Sequence, residues 1–131
     1  MDTLIVKGDQ LGYSYNGGLK TSSCNDLVAI VCDKPNIWLK FKDKECLLRV
    51  SLLKIEIQLQ EYFMKINRQV IVNMNHVSEL VFKGGAYWVY LKNGMEFKVS
   101  ERREKKFVNP FLSMRFKRGI LVFVHEIMRS G

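Results

Sequence analysis

Hydrophobic and polar residues alternate with a period of two through most of this chain, in short runs separated by turn-forming residues, which is the pattern of half-buried strands. In residues 36–42, Ile37, Leu39 and Phe41 fall on one side, and Asn36, Trp38, Lys40 and Lys42 fall on the other. Asp43-Lys44 then supplies a turn and residues 45–50 return. Farther along, residues 76–82, 86–91 and 95–99 read as three strands joined by Gly84-Gly85 and Asn93-Gly94. An Asn-Gly pair between alternating apolar runs predicts a hairpin with a type I′ turn, because both central residues must take positive φ and these two tolerate it. The final apolar run, residues 120–124, is short and β-branched enough for a closing strand.

Two stretches carry helical spacing instead. Leu52, Leu53, Ile55 and Leu59 form an apolar stripe that ends near Gln60 and that Ser51 can cap. Ser100 can cap a second helix from Glu101 to about Val108, which Pro110 must terminate because it brings no amide donor. The predicted fold class is therefore mostly β, small antiparallel sheets with two short helices. No repeat, linker or low-complexity segment interrupts the pattern, and 131 residues are the length of one domain.

Charge changes this picture. The chain carries 21 Lys and Arg against 13 Asp and Glu, a formal charge of +8, and the excess is unevenly placed. Residues 1–62 balance, so the whole surplus lies between Phe63 and Gly131. An acidic partner surface is implied, with its footprint in the second half.

Other classes of chemistry find little support. Cys24, Cys32 and Cys46 form no CxxC and sit in or beside apolar stretches, far in sequence from His76 and His125, so they read as buried free thiols of a reducing cytoplasm rather than as metal ligands. The first residues lack a basic, then apolar leader, and no segment reaches the roughly 20 apolar residues that span a bilayer. A soluble, cytoplasmic protein is expected. There is no P-loop, GxGxxG, GxSxG or HExxH, and no framed pair of carboxylates, so neither catalysis nor a cofactor is expected. His76 lies just before a strand, where a structural hydrogen bond is the commoner role.

The basic clusters are more informative. Lys65, Asn67, Arg68 and Gln69 gather where the chain should turn ahead of an apolar strand, and Asn, Gln and Arg are the side chains that form paired hydrogen bonds to base edges. Arg102, Arg103, Lys105 and Lys106 follow Ser100 at the start of a helix, where positive charge opposes the helix dipole unless an anion binds. A solvated helix face is the plain alternative for such a run. Arg115, Lys117 and Arg118 could extend the patch or only keep the C-terminal strand soluble.

Taken together, these residues resemble the LytTR DNA-binding domain, the output module of many bacterial response regulators in two-component systems. The resemblance runs through Asp26-Leu27, residues 37–41, Ser51-Leu52, then Phe63-Met64-Lys65-Ile66-Asn67-Arg68-Gln69-Val70-Ile71-Val72-Asn73, Val89-Tyr90-Leu91-Lys92-Asn93-Gly94, and Val99-Ser100-Glu101-Arg102-Arg103. It implies a β fold in which loops, rather than a recognition helix, enter successive major grooves and bend the DNA. It also implies a division of the chain into an N-terminal strand or extension (1–25), the DNA-binding domain (26–109) and a C-terminal extension (110–131) packed on the same domain. By position, Asn36, Asn67, Arg68, Gln69 and Arg102 would contact bases, and Lys34, Lys65, Ser100, Arg103, Lys105 and Lys106 would contact phosphates. Asn67 stands where the family usually has His, and Gln69 where it has Ser, which points to a different base preference.

The resemblance further implies self-association on paired DNA sites and an upstream receiver domain or sensor kinase. A receiver does not fit within 131 residues, so the sequence is either an output domain or a free-standing regulator. Two other readings stay open. Trp38, Tyr87 and Trp88 could stack single-stranded RNA or DNA beside the positive patch, although aromatics at alternating strand positions are usually cross-strand or core partners. Alternatively, the basic face could meet an acidic protein or membrane surface with no DNA sequence preference.

Overall fold

The computed structural model describes residues 2–108. The chain forms strands β1 (Leu4–Lys7), β2 (Gln10–Tyr15), β3 (Gly18–Ser23), β4 (Leu27–Asp33), β5 (Asn36–Phe41) and β6 (Glu45–Leu48), then helix α1 (Leu52–Glu56). There follow β7 (Phe63–Lys65), β8 (Val70–Asn73), β9 (Val77–Lys83), β10 (Ala86–Leu91) and β11 (Glu96–Lys98). All pairings are antiparallel and make three sheets, ordered β1-β2-β3, β6-β5-β4-β8-β7 and β11-β10-β9. The mostly β fold with small antiparallel sheets and short helices is the one the hydrophobic pattern predicts.

The five-stranded sheet is the middle layer, and its central strands show why their sequences are apolar without interruption. On β4, Ile30 and Cys32 pack into a cluster with Leu11 and Tyr13 of the N-terminal sheet, while Val28 and Ala29 enter a second cluster with Leu80 and Val89 of the third sheet. On β8, Ile71 enters the first cluster and Val70 and Val72 the second. A strand covered on both faces gains nothing from alternation, since each full burial of such a side chain is worth roughly 1.5–3 kcal/mol on either face. On β5, by contrast, Ile37, Leu39 and Phe41 are buried while Trp38 and Lys40 are only half-buried, so the alternation survives. The first 25 residues, expected as a strand or extension, supply a whole sheet and the Tyr13 that packs 5.1 Å from Phe41.

Several local expectations are corrected. The turn at Asn93-Gly94 is not type I′, because Gly94 has φ 93° while Asn93 is not among the residues with positive φ. The amide of Gly94 donates to the Leu91 carbonyl and that of Leu91 to Met95, so a three-residue loop with a terminal left-handed glycine closes this hairpin. The type I′ signature of two positive φ values sits instead at Gly84-Gly85 (60° and 79°) and at Asn16-Gly17 (47° and 79°). The first helix stops at Glu56 rather than near Gln60, and the Ser51 side chain makes no capping bond. Beyond that helix, Gln58 turns back to accept from the Val6 amide at 3.1 Å and donate to the Leu4 carbonyl, taking a partner strand's place along the free edge of β1. Ser100 likewise makes no side-chain cap; Glu101–Arg103 is a 3₁₀ turn, with residues 104–108 helical after it. The expected closing strand at 120–124, Pro110, His125, and Arg115, Lys117 and Arg118 lie outside the described residues.

Candidate nucleic-acid interface

Antiparallel order puts three connections at one end of the five-stranded sheet or beside it. The β4–β5 turn holds Lys34, Pro35 and Asn36, with a cis Lys34–Pro35 bond. The β7–β8 turn holds Asn67, Arg68 and Gln69, closed by the Ile66 amide donating to the Val70 carbonyl at 2.9 Å. Leaving β11, the chain reaches the third segment, Ser100 to Arg103, where the Ser100 amide donates to the Ile66 carbonyl at 2.9 Å.

The second turn is the centre of the group. Lys34, Asn36, Lys65 and Arg68 line one open hollow of about 370 Å³. On its other side, Asn67, Tyr87, Lys98, Ser100, Glu101 and Glu104 line a second, of about 640 Å³. The residues expected to contact DNA therefore share one end of the molecule, although they come from three separate parts of the sequence. Lys34, Arg68, Gln69, Arg102, Lys105 and Lys106 are exposed, and Asn36, Ser100 and Arg103 are half-buried. Among the described residues, Lys34, Arg68, Arg102, Arg103, Lys105 and Lys106 take part in no ion pair. With no carboxylate of the described residues in contact, their charge is uncompensated there, which is the electrostatic condition for attracting a phosphate backbone.

Two of the expected contact residues are differently placed. Lys65 lies 3.5 Å from the carboxylate of Glu56 on a side chain only 20% exposed, so its ammonium is already paired. Asn67 uses both polar ends within the protein: Nδ2 donates to the Lys98 carbonyl and Oδ1 accepts from the Gln69 amide, each at 2.8 Å. The Asn-Arg-Gln spacing is an Asx-turn pattern, and that signal was available for finding this use of Asn67 in the sequence. Glu101 and Glu104 beside the loops were not singled out as parts of the interface, because a carboxylate there carries no motif, and Tyr87 was named only as a stacking ring for single strands. Burial, with the charge of Glu104 added, pushes the Tyr87 hydroxyl above its ordinary value.

The remaining candidates have partners within the protein. His76 Nε2 lies 2.6 Å from the Asn25 carbonyl, to which it donates. The three cysteines are free and buried. Trp38 and Trp88 are half-buried under lysine ammonium groups, those of Lys40 and Lys83 respectively. The Tyr87 ring packs against the second core cluster and edge-on to Phe82. Among the described residues, no cluster of His, Cys, Asp or Glu could hold a metal, and no helix is long and apolar enough to cross a membrane.

Comparison with known proteins decides the family. The LytTr DNA-binding domain matches residues 18–111. This chain belongs to the LytTr DNA-binding domain family. The match takes in the β4–β5 turn, the β7–β8 turn and the Ser100–Arg103 segment of this LytTr domain. Among solved structures, the chain is similar to the LytTr DNA-binding domain of a Bacillus cereus protein described as a methyl-accepting/DNA response regulator, with a TM-score of 0.70 and 17% identity. That likeness covers 81% of this chain and 98% of the other, and at such identity it is a likeness of fold. No sequence among the curated proteins matches.

Proposed function

We propose that this LytTr domain binds double-stranded DNA sequence-specifically and acts as a bacterial transcription regulator, the output element of a response-regulator pathway. The observation that carries the reading is the convergence of three polar loops whose cations have no carboxylate partner among the described residues. Arg68, Gln69, Arg102 and Asn36 read base edges from loops that enter successive major grooves. Lys34, Ser100, Arg103, Lys105 and Lys106 hold phosphates, fixing register and supplying the salt-dependent part of the affinity. Bending of the duplex between loops adds readout at positions no side chain touches. Neither a metal nor a cofactor enters this mechanism. An upstream receiver or sensor kinase supplies the signal, and pairing of domains on adjacent sites raises occupancy.

Selection of random duplexes by the purified protein, followed by titration at two salt concentrations, tests this. A short enriched motif bound at least about a thousandfold more tightly than random duplex is the expected result. Salt-dependent binding without enrichment would overturn it in favour of a basic protein-interaction surface. Preference for single strands would overturn it in favour of RNA or single-stranded DNA.

A further inference from the structure

The three loops are joined by a continuous line of hydrogen bonds. The Cys32 amide at the end of β4 donates to the Gln69 carbonyl at 2.7 Å. The Gln69 amide donates to Asn67 Oδ1, and Asn67 Nδ2 donates to the carbonyl of Lys98, two residues before Ser100. Only one link in this line from β4 to β11 is a side chain, and it is Asn67. The Ser100 amide adds a parallel link to the Ile66 carbonyl, and the Arg103 amide closes the third segment onto the Ser100 carbonyl, both at 2.9 Å.

We infer that Asn67 is a positioning residue that fixes the spacing of the Arg68 and Arg102 guanidinium groups, and that it reads no base itself. This rests on the DNA-binding reading above and deepens it. An amide that both donates and accepts suits such a post: its acceptor orders its own turn, and its donor reaches the neighbouring strand. The two partners fix the plane of the amide, so Asn67 cannot swing its remaining N–H and lone pair onto a base edge without breaking its bond to Lys98 or Gln69. Two guanidinium groups held at fixed separation select pairs of bases at fixed separation, so sequence spacing, rather than base identity, is what Asn67 controls.

The inference has a test that does not depend on DNA. In Asn67→Ala, amide hydrogen exchange is expected to speed up roughly tenfold or more at Gln69 and also across the gap at Ser100 and Arg103, with no matching change at Asn75. Asn67→Asp keeps the acceptor for the Gln69 amide but sets a carboxylate against the Lys98 carbonyl, so Gln69 should stay protected while Ser100 and Arg103 do not. Exchange at Ser100 and Arg103 left as in the parent by both variants would overturn the inference, whatever the DNA result. On selected duplexes, Asn67→Ala should keep the preferred base at every position, bind at least about tenfold more weakly and tolerate one-base changes in spacing. Loss of preference at a single position with spacing intact would make Asn67 a base reader and overturn it as well. A parent protein that enriches no motif would sink the DNA reading alone, leaving exchange to decide the role of Asn67.

Discussion

The two ends of the five-stranded sheet carry their cations in opposite electrostatic arrangements. At the end where β5 turns into β6, Lys40 meets Glu45 at 2.5 Å and Lys42 meets Asp26 at 3.4 Å. Lys44 lies over the rings of Tyr13, Tyr15 and Phe41 at 5.0–5.4 Å. Hydrogen bonding to Tyr13 raises Lys44 well above the usual lysine range, and the proximity of Lys44 in turn lowers Lys20. At the loop end, Lys34, Arg68 and Arg102 have no ion-pair partner among the described residues. A surface cation paired in the protein gives little net field to a distant polyanion, whereas an unpaired one gives its full charge. Which lysines and arginines are already engaged, and not their number alone, distinguishes an interface from a solubilising surface.

Asparagines repeat the contrast along β8. Asn73, at the far end, is fully buried; it donates to the Leu27 carbonyl at 2.9 Å and to Asn25, and accepts from the Asn75 amide at 2.9 Å. Asn67, at the loop end, makes the same kind of turn but remains half-exposed. One end is a sealed joint and the other an open one.

The largest expected effect breaks the sealed end. Asn73→Ala removes the donor to the Leu27 carbonyl, a buried bond, and the acceptor that ties down the Asn75 amide, and should cost about 2–3 kcal/mol of unfolding free energy, read by denaturant titration. The refolded protein should retain its DNA preference. Next, Arg68→Ala and Arg102→Ala should each cost about 1–3 kcal/mol on the selected site and flatten specific positions of the motif, without moving the melting curve. If both variants lost equally on selected and random duplex, the two arginines would be phosphate contacts and the loop end would lose its reading role. The smallest pair of effects sharpens the comparison most directly. Lys105→Ala should lower the slope of log affinity against log salt by roughly one. Lys44→Ala should leave that slope unchanged and cost below about 1 kcal/mol in stability, the value of an exposed cation on aromatic rings.

Legibility in the sequence followed locality. The β5 strand was readable from Ile37, Leu39 and Phe41, and the β9–β10 hairpin from Gly84-Gly85, because a period of two and a demand for positive φ act over a few residues. Ser51 and Ser100 stand at the N-terminal ends of the two helical segments as read, but neither side chain makes a capping bond, and the first helix stops at Glu56 rather than near Gln60. Asn93-Gly94 misled because two loop lengths suit that pair, and the pairing of β10 with β11 chose between them. The loop residues Arg68 and Arg102 were legible as candidates through type and family pattern, while the Glu56 partner of Lys65 was not.

By itself, then, the sequence determined the strand periodicity, the turn positions at Gly84-Gly85, the neutral first half and basic second half, and the family, since all of these depend on residue type and near-neighbour order. Tertiary structure alone decided that loops 34–36, 67–69 and 100–103 share one end, that among the described residues Lys42 has an ion-pair partner while Arg68 has none, and that Asn67 faces the Lys98 carbonyl. Those facts depend on contacts between residues far apart in sequence, such as Lys42 with Asp26 and Asn67 with Lys98. A main-chain carbonyl, which accepts a hydrogen bond whatever side chain it carries, leaves no mark in the sequence.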